Sequence, residues 1–253
     1  MVYDLQKADL WKRIAAWLFD TILVSILAVG IGFLLSLILG YDGFDQTVDD
    51  AYAKYETEYG IVFDISQETY TAMTEQERQT YDAAYAALTS DEAAMYAYNM
   101  MLNLSLVITT LGILLAILIW DFFLPLAFDN GQTLGKKVFG LCLIRNDGVK
   151  LNNLQLFTRT VLGKFTIETM IPVYILLMLF WGTLDLTGTM ILLVLAAAQV
   201  FCIAVTRSNS AIHDLLAGTV VVDLNSQMIF RSTEDLIQYQ KQVAAERSRR
   251  QTY

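Results

Sequence analysis

Four stretches of this chain are apolar over the roughly 20 residues that an α-helix needs to cross about 30 Å of hydrocarbon. They are residues 14–39, 102–128, 165–184 and 186–206. Acids interrupt the first three, at Asp20, Asp121 and Glu168, and a fourth acid, Asp214, lies just past the last stretch. With 55% of its 253 residues hydrophobic, the chain would expose large apolar patches in water. Lipid is the solvent this pattern fits, and an ionised carboxylate in lipid is costly unless it has a partner and a task. The pattern predicts an all-α integral membrane protein. The first stretch reads as a span rather than a leader, being long and followed by no small-residue cleavage pattern.

Charge sets the expected orientation. The net charge is −9, yet residues 41–101 alone hold 13 acids against Lys54 and Arg78. Basic residues gather before span one (Lys7, Lys12, Arg13), between spans two and three (Lys136, Lys137, Arg145, Lys150, Arg159, Lys164) and after span four. The positive-inside rule then places both termini and the second connection in the cytoplasm and residues 41–101 outside. Four spans give the same parity.

The outer segment is expected to form two or three amphipathic helices, an acidic cap inserted into a membrane domain of residues 8–225. Tyr52, Tyr55 and Tyr59 recur at helical spacing, and Thr74 with Glu77 and Thr89 with Glu92 fit capping boxes. Nine of the 13 tyrosines lie here, either packing on one another or offering a face to a protein partner. In the second connection, 137–145 reads as a strand, Asn146-Asp147-Gly148 as a hairpin turn and 149–151 as a returning strand, with 219–222 a further β run. A small cytoplasmic β element is therefore expected beside the four-span helical bundle. Residues 154–162 look amphipathic, with Leu156, Phe157 and Val161 toward lipid and Arg159 snorkelling or paired. Residues 226–253 read as a cytoplasmic tail helix.

Several chemistries find no support. Gly131 to Lys137 lacks the spacing of a phosphate loop. His213 is the one histidine, so no multi-histidine metal site can form in one chain. Cys142 and Cys202 have neither pairing logic nor metal-ligand spacing. Overall acidity argues against nucleic acid. No hydrolase constellation and no cofactor motif is evident, so an enzyme is not expected.

What remains is the buried charge. The chain's two prolines, Pro125 and Pro172, each follow an acid by four residues, Asp121 and Glu168. Proline removes the hydrogen bond to the carbonyl four residues back, so both acids should carry a freed backbone oxygen. Arg13 and Asp20 are seven residues apart, on one helical face and about 10 Å apart along the axis. Asp121, about 12 Å up its own span, should reach a similar depth. Glu168, His213 and Asp214 fall on the same side. Counted against Arg13 and Arg159, the four acids are in surplus, and a surplus carboxylate must be protonated, hydrated or bound to a cation. An internal ion-pair network that only fixes helix packing would use the same residues.

Arg13 opening the first span with Asp20 inside it, then Gly131-Gln132-Thr133-Leu134-Gly135-Lys136, then His213-Asp214-Leu215-Leu216-Ala217-Gly218-Thr219, resembles the RDD family. That family is named for one arginine and two aspartates, here Arg13, Asp20 and Asp214. The resemblance implies a four-span core and a function in transport, including sodium/proton exchange, or in membrane assemblies. Two readings follow. In a small secondary transporter, Asp20, Asp121 and Glu168 would bind a proton or a monovalent cation, with Arg13, Arg159, His213 and Asp214 as countercharge or gate, and a homodimer through the ridge Ala28, Gly32 and Ser36. In a non-transporting adaptor, the cap or the sheet would dock a partner and the charges would be structural.

Overall fold

A computed structural model describes residues 5–128, 130–175, 186–206 and 208–251. The chain divides into two compact units, residues 1–27 with 113–253, and residues 28–112. Helix α1 (Leu10–Leu39) starts where Asp9 Oδ1 accepts the N–H groups of Trp11 and Lys12, an N-cap. It ends at Gly40, whose φ of 69° is left-handed.

The second unit carries α2 (Tyr41–Tyr59), α3 (Gln67–Ala72) and α4 (Glu75–Ser90) between the ends of α1 and α5 (Glu92–Ile117). The Thr74–Glu77 capping box forms as expected. The second expected box does not. Asp91 supplies the cap of α5, accepting from Ala93 and Ala94, while the Thr89 hydroxyl turns back to the Tyr85 carbonyl. A carboxylate one residue before the helix outcompetes a hydroxyl held in the preceding turn. Ala51, Tyr55, Leu88 and Ala94 make a small core, and Tyr55 donates to Asp91 at 3.0 Å. Tyr52, Phe63, Tyr81 and Tyr70 meet edge to face in series, so these rings pack on one another. The small-residue ridge of α1 is used within the chain, Ala28 and Gly32 lying close to Gly112 of α5.

In the first unit α5 continues as a π-helical segment, Leu118–Phe123, and one α turn, Leu124–Ala127. The run Glu92–Ala127 and α1 are both long and apolar enough to cross a membrane. The π segment sits where Pro125 withdraws its donor, and the Asp121 carbonyl accepts instead from Thr160 Oγ1 at 3.0 Å. The freed oxygen expected from the sequence is thus real, and a hydroxyl already fills it.

Helix α6 (Leu134–Val138) is capped by Thr133, and strand β1 begins only at Leu141 (Leu141–Arg145), after Gly140 turns with φ 67°. The strand expected from residue 137 is therefore helical in its first two residues. Helix α7 (Asn153–Phe157) opens with an Asn152–Gln155 capping box and runs on as π-helix, Thr158–Glu168. Met170 breaks it with φ 57°, two residues before Pro172, and residues 171–175 are helical again. The second half of the expected third span, residues 176–184, lies outside the described residues. The stretch expected as a fourth span is helical, α8 (Leu186–Val205). Then come α9 (Ile212–Ala217), strand β2 (Thr219–Asp223) and the tail helix α10 (Thr233–Gln251).

β1 pairs antiparallel with β2, from Leu141 opposite Asp223 to Arg145 opposite Thr219. The return after Asn146-Asp147-Gly148 makes only isolated bridges, Ile144 to Lys150 and Val149 to Phe230. Alternation divides the sheet's side chains between two faces. Leu141, Leu143 and Val221 pack with Ala8, Ala16 and Leu156, and Cys142, Ile144, Val220 and Val222 pack with Leu5 and Ile229. Leu156 therefore faces the sheet rather than lipid, while Leu154, Phe157 and Leu162 are exposed. The sheet is a plate under the first turns of α1.

Candidate functional site

Each buried acid has a distinct set of partners. Asp20, 4% exposed, accepts from Trp120 Nε1 at 2.9 Å, the Gly135 N–H at 2.8 Å and the Thr133 hydroxyl. Thr133 and Gly135 come from the cap and first turn of α6, whose approach is very close. A Cβ on Gly135 would lie 2.4 Å from the Ala16 carbonyl oxygen, so only glycine fits. Arg13, on the same face of α1, does not pair with Asp20. It reaches the Ser208 carbonyl at 2.9 Å and Asp214 Oδ2 at 3.6 Å.

Asp121 pairs with Lys164 Nζ at 2.7 Å. Trp120, the residue before Asp121, donates to Asp20, so the π segment that holds Asp121 meets α1 there. Glu168 contacts His213 Nδ1 and accepts from Gln199 Nε2 at 2.9 Å. Asp214 Oδ1 accepts from Arg159 Nε at 3.0 Å and from the Thr219 hydroxyl at 3.1 Å. Arg159 is paired, not snorkelling. Its Nη2 lies 2.8 Å from His213 Nε2. The π segment bearing Arg159 and α9 can meet this closely because Gly163 has no side chain: a Cβ there would lie 2.3 Å from His213 Cβ.

The carboxylate surplus expected from the sequence is absent. Lys136 and Lys164 join Arg13 and Arg159, and four acids face four cations. Neither lysine is among the acid partners expected from the sequence, where both count toward the orientation signal and Lys136 toward the Gly131–Lys136 motif. Lys164, one turn before Glu168, and Lys136, in the Thr-x-x-Lys that follows the Gly-Gln pair, were the available clues.

The electrostatics follow from burial. Burial alone would raise the Asp214 pKa, but its neighbours His213, Arg159 and Arg13 outweigh it and hold the carboxyl well below its ordinary range. Its contribution to stability is then present above about pH 3.9, the unfolded value, and lost as pH falls through the folded one. Burial, with Arg159 and Lys164 nearby, lowers Lys136 to about 8. Lys136 is 8% exposed, and its Nζ bonds the Thr133 hydroxyl at 3.1 Å.

These groups line one cavity of about 590 Å³. Arg13, Asp20, Lys136, Arg159, Lys164, Glu168, His213 and Asp214 all reach it, and apolar residues of α1 and α8 form its walls. Asp121 does not line it. No cluster of histidine, cysteine, aspartate and glutamate able to hold a metal occurs among the described residues.

Arg13 with Asp20 and Asp214, the Thr133–Lys136 turn and the His213–Gly218 helix define a charged membrane core joined to a short sheet. The family model for the RDD family matches residues 7–218, most of the chain. The chain belongs to the RDD family, and its long apolar helices make it a membrane protein. No curated protein and no solved structure matches it.

Proposed function

We propose that this protein is a small secondary transporter coupled to protons, with His213 as the group that takes up the proton. One observation carries this reading. Asp214 Oδ2 is buried and has no hydrogen-bond donor among the described residues, yet it lies 3.5 Å from His213 Nε2. Arg159 Nη2 donates to that Nε2, so the hydrogen of the neutral ring is placed on Nδ1, the nitrogen in contact with Glu168. A second proton can go only to Nε2. There it opposes the Arg159 guanidinium and finds a ready acceptor in Asp214 Oδ2. Protonation would move Arg159 off the imidazole and rearrange the cavity wall. The groups that meet His213 are Glu168, Arg159 and Asp214, with Arg13 beyond Asp214. Histidine is the side chain suited to change charge in the physiological range.

In this scheme Glu168 and His213 bind the proton and Asp214, Arg159 and Arg13 gate it. Asp20 and Asp121 hold the walls. Proton coupling fits better than sodium, because the oxygens of Asp20 and Asp121 already face N–H and O–H donors, which would repel a cation. The charge bias supports four spans with both termini cytoplasmic and residues 41–101 extracytoplasmic. It also supports a membrane domain of residues 8–225 and a cytoplasmic tail, 226–253. A homodimer would use a face other than the Ala28–Gly32 ridge.

The test is proton uptake into liposomes carrying a trapped pH-sensitive dye, under an imposed sodium or potassium gradient. Wild-type protein should exceed empty liposomes, and His213→Gln and Glu168→Gln should lose the excess. The adaptor reading is favoured by the full partnering of Asp20 and Asp121. It takes over if wild type moves no protons under either gradient and a stoichiometric partner co-purifies.

A further inference from the structure

The charged lining of the cavity is nearly all spent internally. Arg13 and Arg159 serve Asp214, Lys164 serves Asp121, and His213 serves Glu168. Lys136 is the exception: among the described residues no carboxylate lies within ion-pair distance of its Nζ. An ammonium has three N–H donors, and among the described residues only the Thr133 hydroxyl accepts one of them. That hydroxyl gives its own hydrogen to Asp20, so it cannot neutralise the charge. The cavity therefore holds a buried cation with two donors to spend.

The rest of the cavity has the opposite character. Ile14 and Trp17 in the first turns of α1, and Val200 and Ile203 near the end of α8, wall it on either side. Trp17 and Val200 are 53% and 68% exposed, as lipid-facing side chains of membrane helices are. At about 590 Å³ the space is far larger than a bare ion requires and within the range of small-molecule pockets. A cation at the inner end, apolar walls and a mouth on the lipid side call for an anion that carries hydrocarbon.

We propose that this cavity holds the headgroup of one anionic phospholipid, with its phosphodiester on Lys136 and its acyl chains leaving between α1 and α8. A phosphodiester offers the acceptor oxygens that the two unspent N–H donors of Lys136 lack. Lys136 lies in the connection between the second and third apolar stretches, which the charge bias sets beside the membrane surface. The lipid need not be transported, so the assignment is independent of the proton scheme and is tested without any gradient.

The experiment is native mass spectrometry of full-length protein taken from nanodiscs of equal parts phosphatidylglycerol and phosphatidylcholine. Wild type should retain one phosphatidylglycerol per chain. Lys136→Gln should lower that occupancy about tenfold, the loss expected for one charge-assisted bond. Ala196→Trp keeps every charge, sits on the exposed wall of α8 and should block the mouth, so it too should lose the lipid. Glycerol 1-phosphate, a headgroup without chains, should fail to displace it. Equal retention of the two lipids, or retention by both variants, overturns the proposal. Complete displacement by glycerol 1-phosphate overturns it as well and assigns the site to a water-soluble phosphate.

Discussion

Replacing Asp20 by asparagine separates a structural carboxylate from a carrier. The side chain accepts three donors, two on Oδ1 and one on Oδ2, in a site only 4% exposed. Asparagine keeps one acceptor oxygen, so the bonds from Trp120 and Gly135 survive in weaker, neutral form. Its amide nitrogen then faces the Thr133 hydroxyl, which must abandon donation and already accepts from Lys136. Hydrogen bonds to a charged group contribute about 1.5–3 kcal/mol each and neutral ones roughly half as much. At the lower end of that range, losing one and halving two comes to about 3 kcal/mol. For a chain of this size that is a fall of roughly 6–12 °C in melting temperature. Thermal unfolding in detergent, followed by tryptophan emission, measures it directly because Trp120 bonds the altered group. Asp20→Ala strands all three donors and should fall further still. A variant Asp20→Asn that melts within about 2 °C of wild type would refute the reasoning and return Asp20 to the role of a group that is neutral in the resting protein.

Two further outcomes test the packing and the buried cation. Gly163→Ala should cost about 1–3 kcal/mol, because its Cβ must displace His213, whereas Gly30→Ala has nothing within 4 Å and should be neutral or gain up to about 1 kcal/mol of helix propensity; paired melting curves decide. Lys136 should make the melting temperature of delipidated protein climb between about pH 8 and pH 10.4, since in that window the unfolded lysine holds a proton that the folded one has released. Lys136→Met should flatten that part of the curve, and an unchanged slope would contradict the burial of the ammonium.

The apolar runs made α1 and α5 legible, and the turn chemistry around Gly148 and the β-branched run at 219–222 made the sheet legible. Partner choice was less so. Nothing local says that β1 prefers β2, some 75 residues away, to the segment just past its own turn. That preference arises from burying Leu143 and Val221 on one face and Ile144 and Val220 on the other. The acids of the site stood out because a carboxylate in an apolar run is conspicuous. The lysines did not, because Lys136 and Lys164 sit among other basic residues where an orientation signal is expected. Glycines hid the rest. Gly135 and Gly163 let α6 reach α1 and the π segment reach α9, and a sequence does not say which backbone a glycine admits.

The protonation of His213 is the most direct test of the proton scheme, and the chain has only one histidine to report it. Nitrogen-15 magnetic resonance of histidine-labelled protein in bilayers distinguishes the two tautomers and the imidazolium. The expected spectrum at high pH is the neutral ring with its hydrogen on Nδ1, giving way to the doubly protonated ring as pH falls while the protein stays folded. A hydrogen on Nε2 at high pH, or a ring that stays neutral until the protein unfolds, would contradict it.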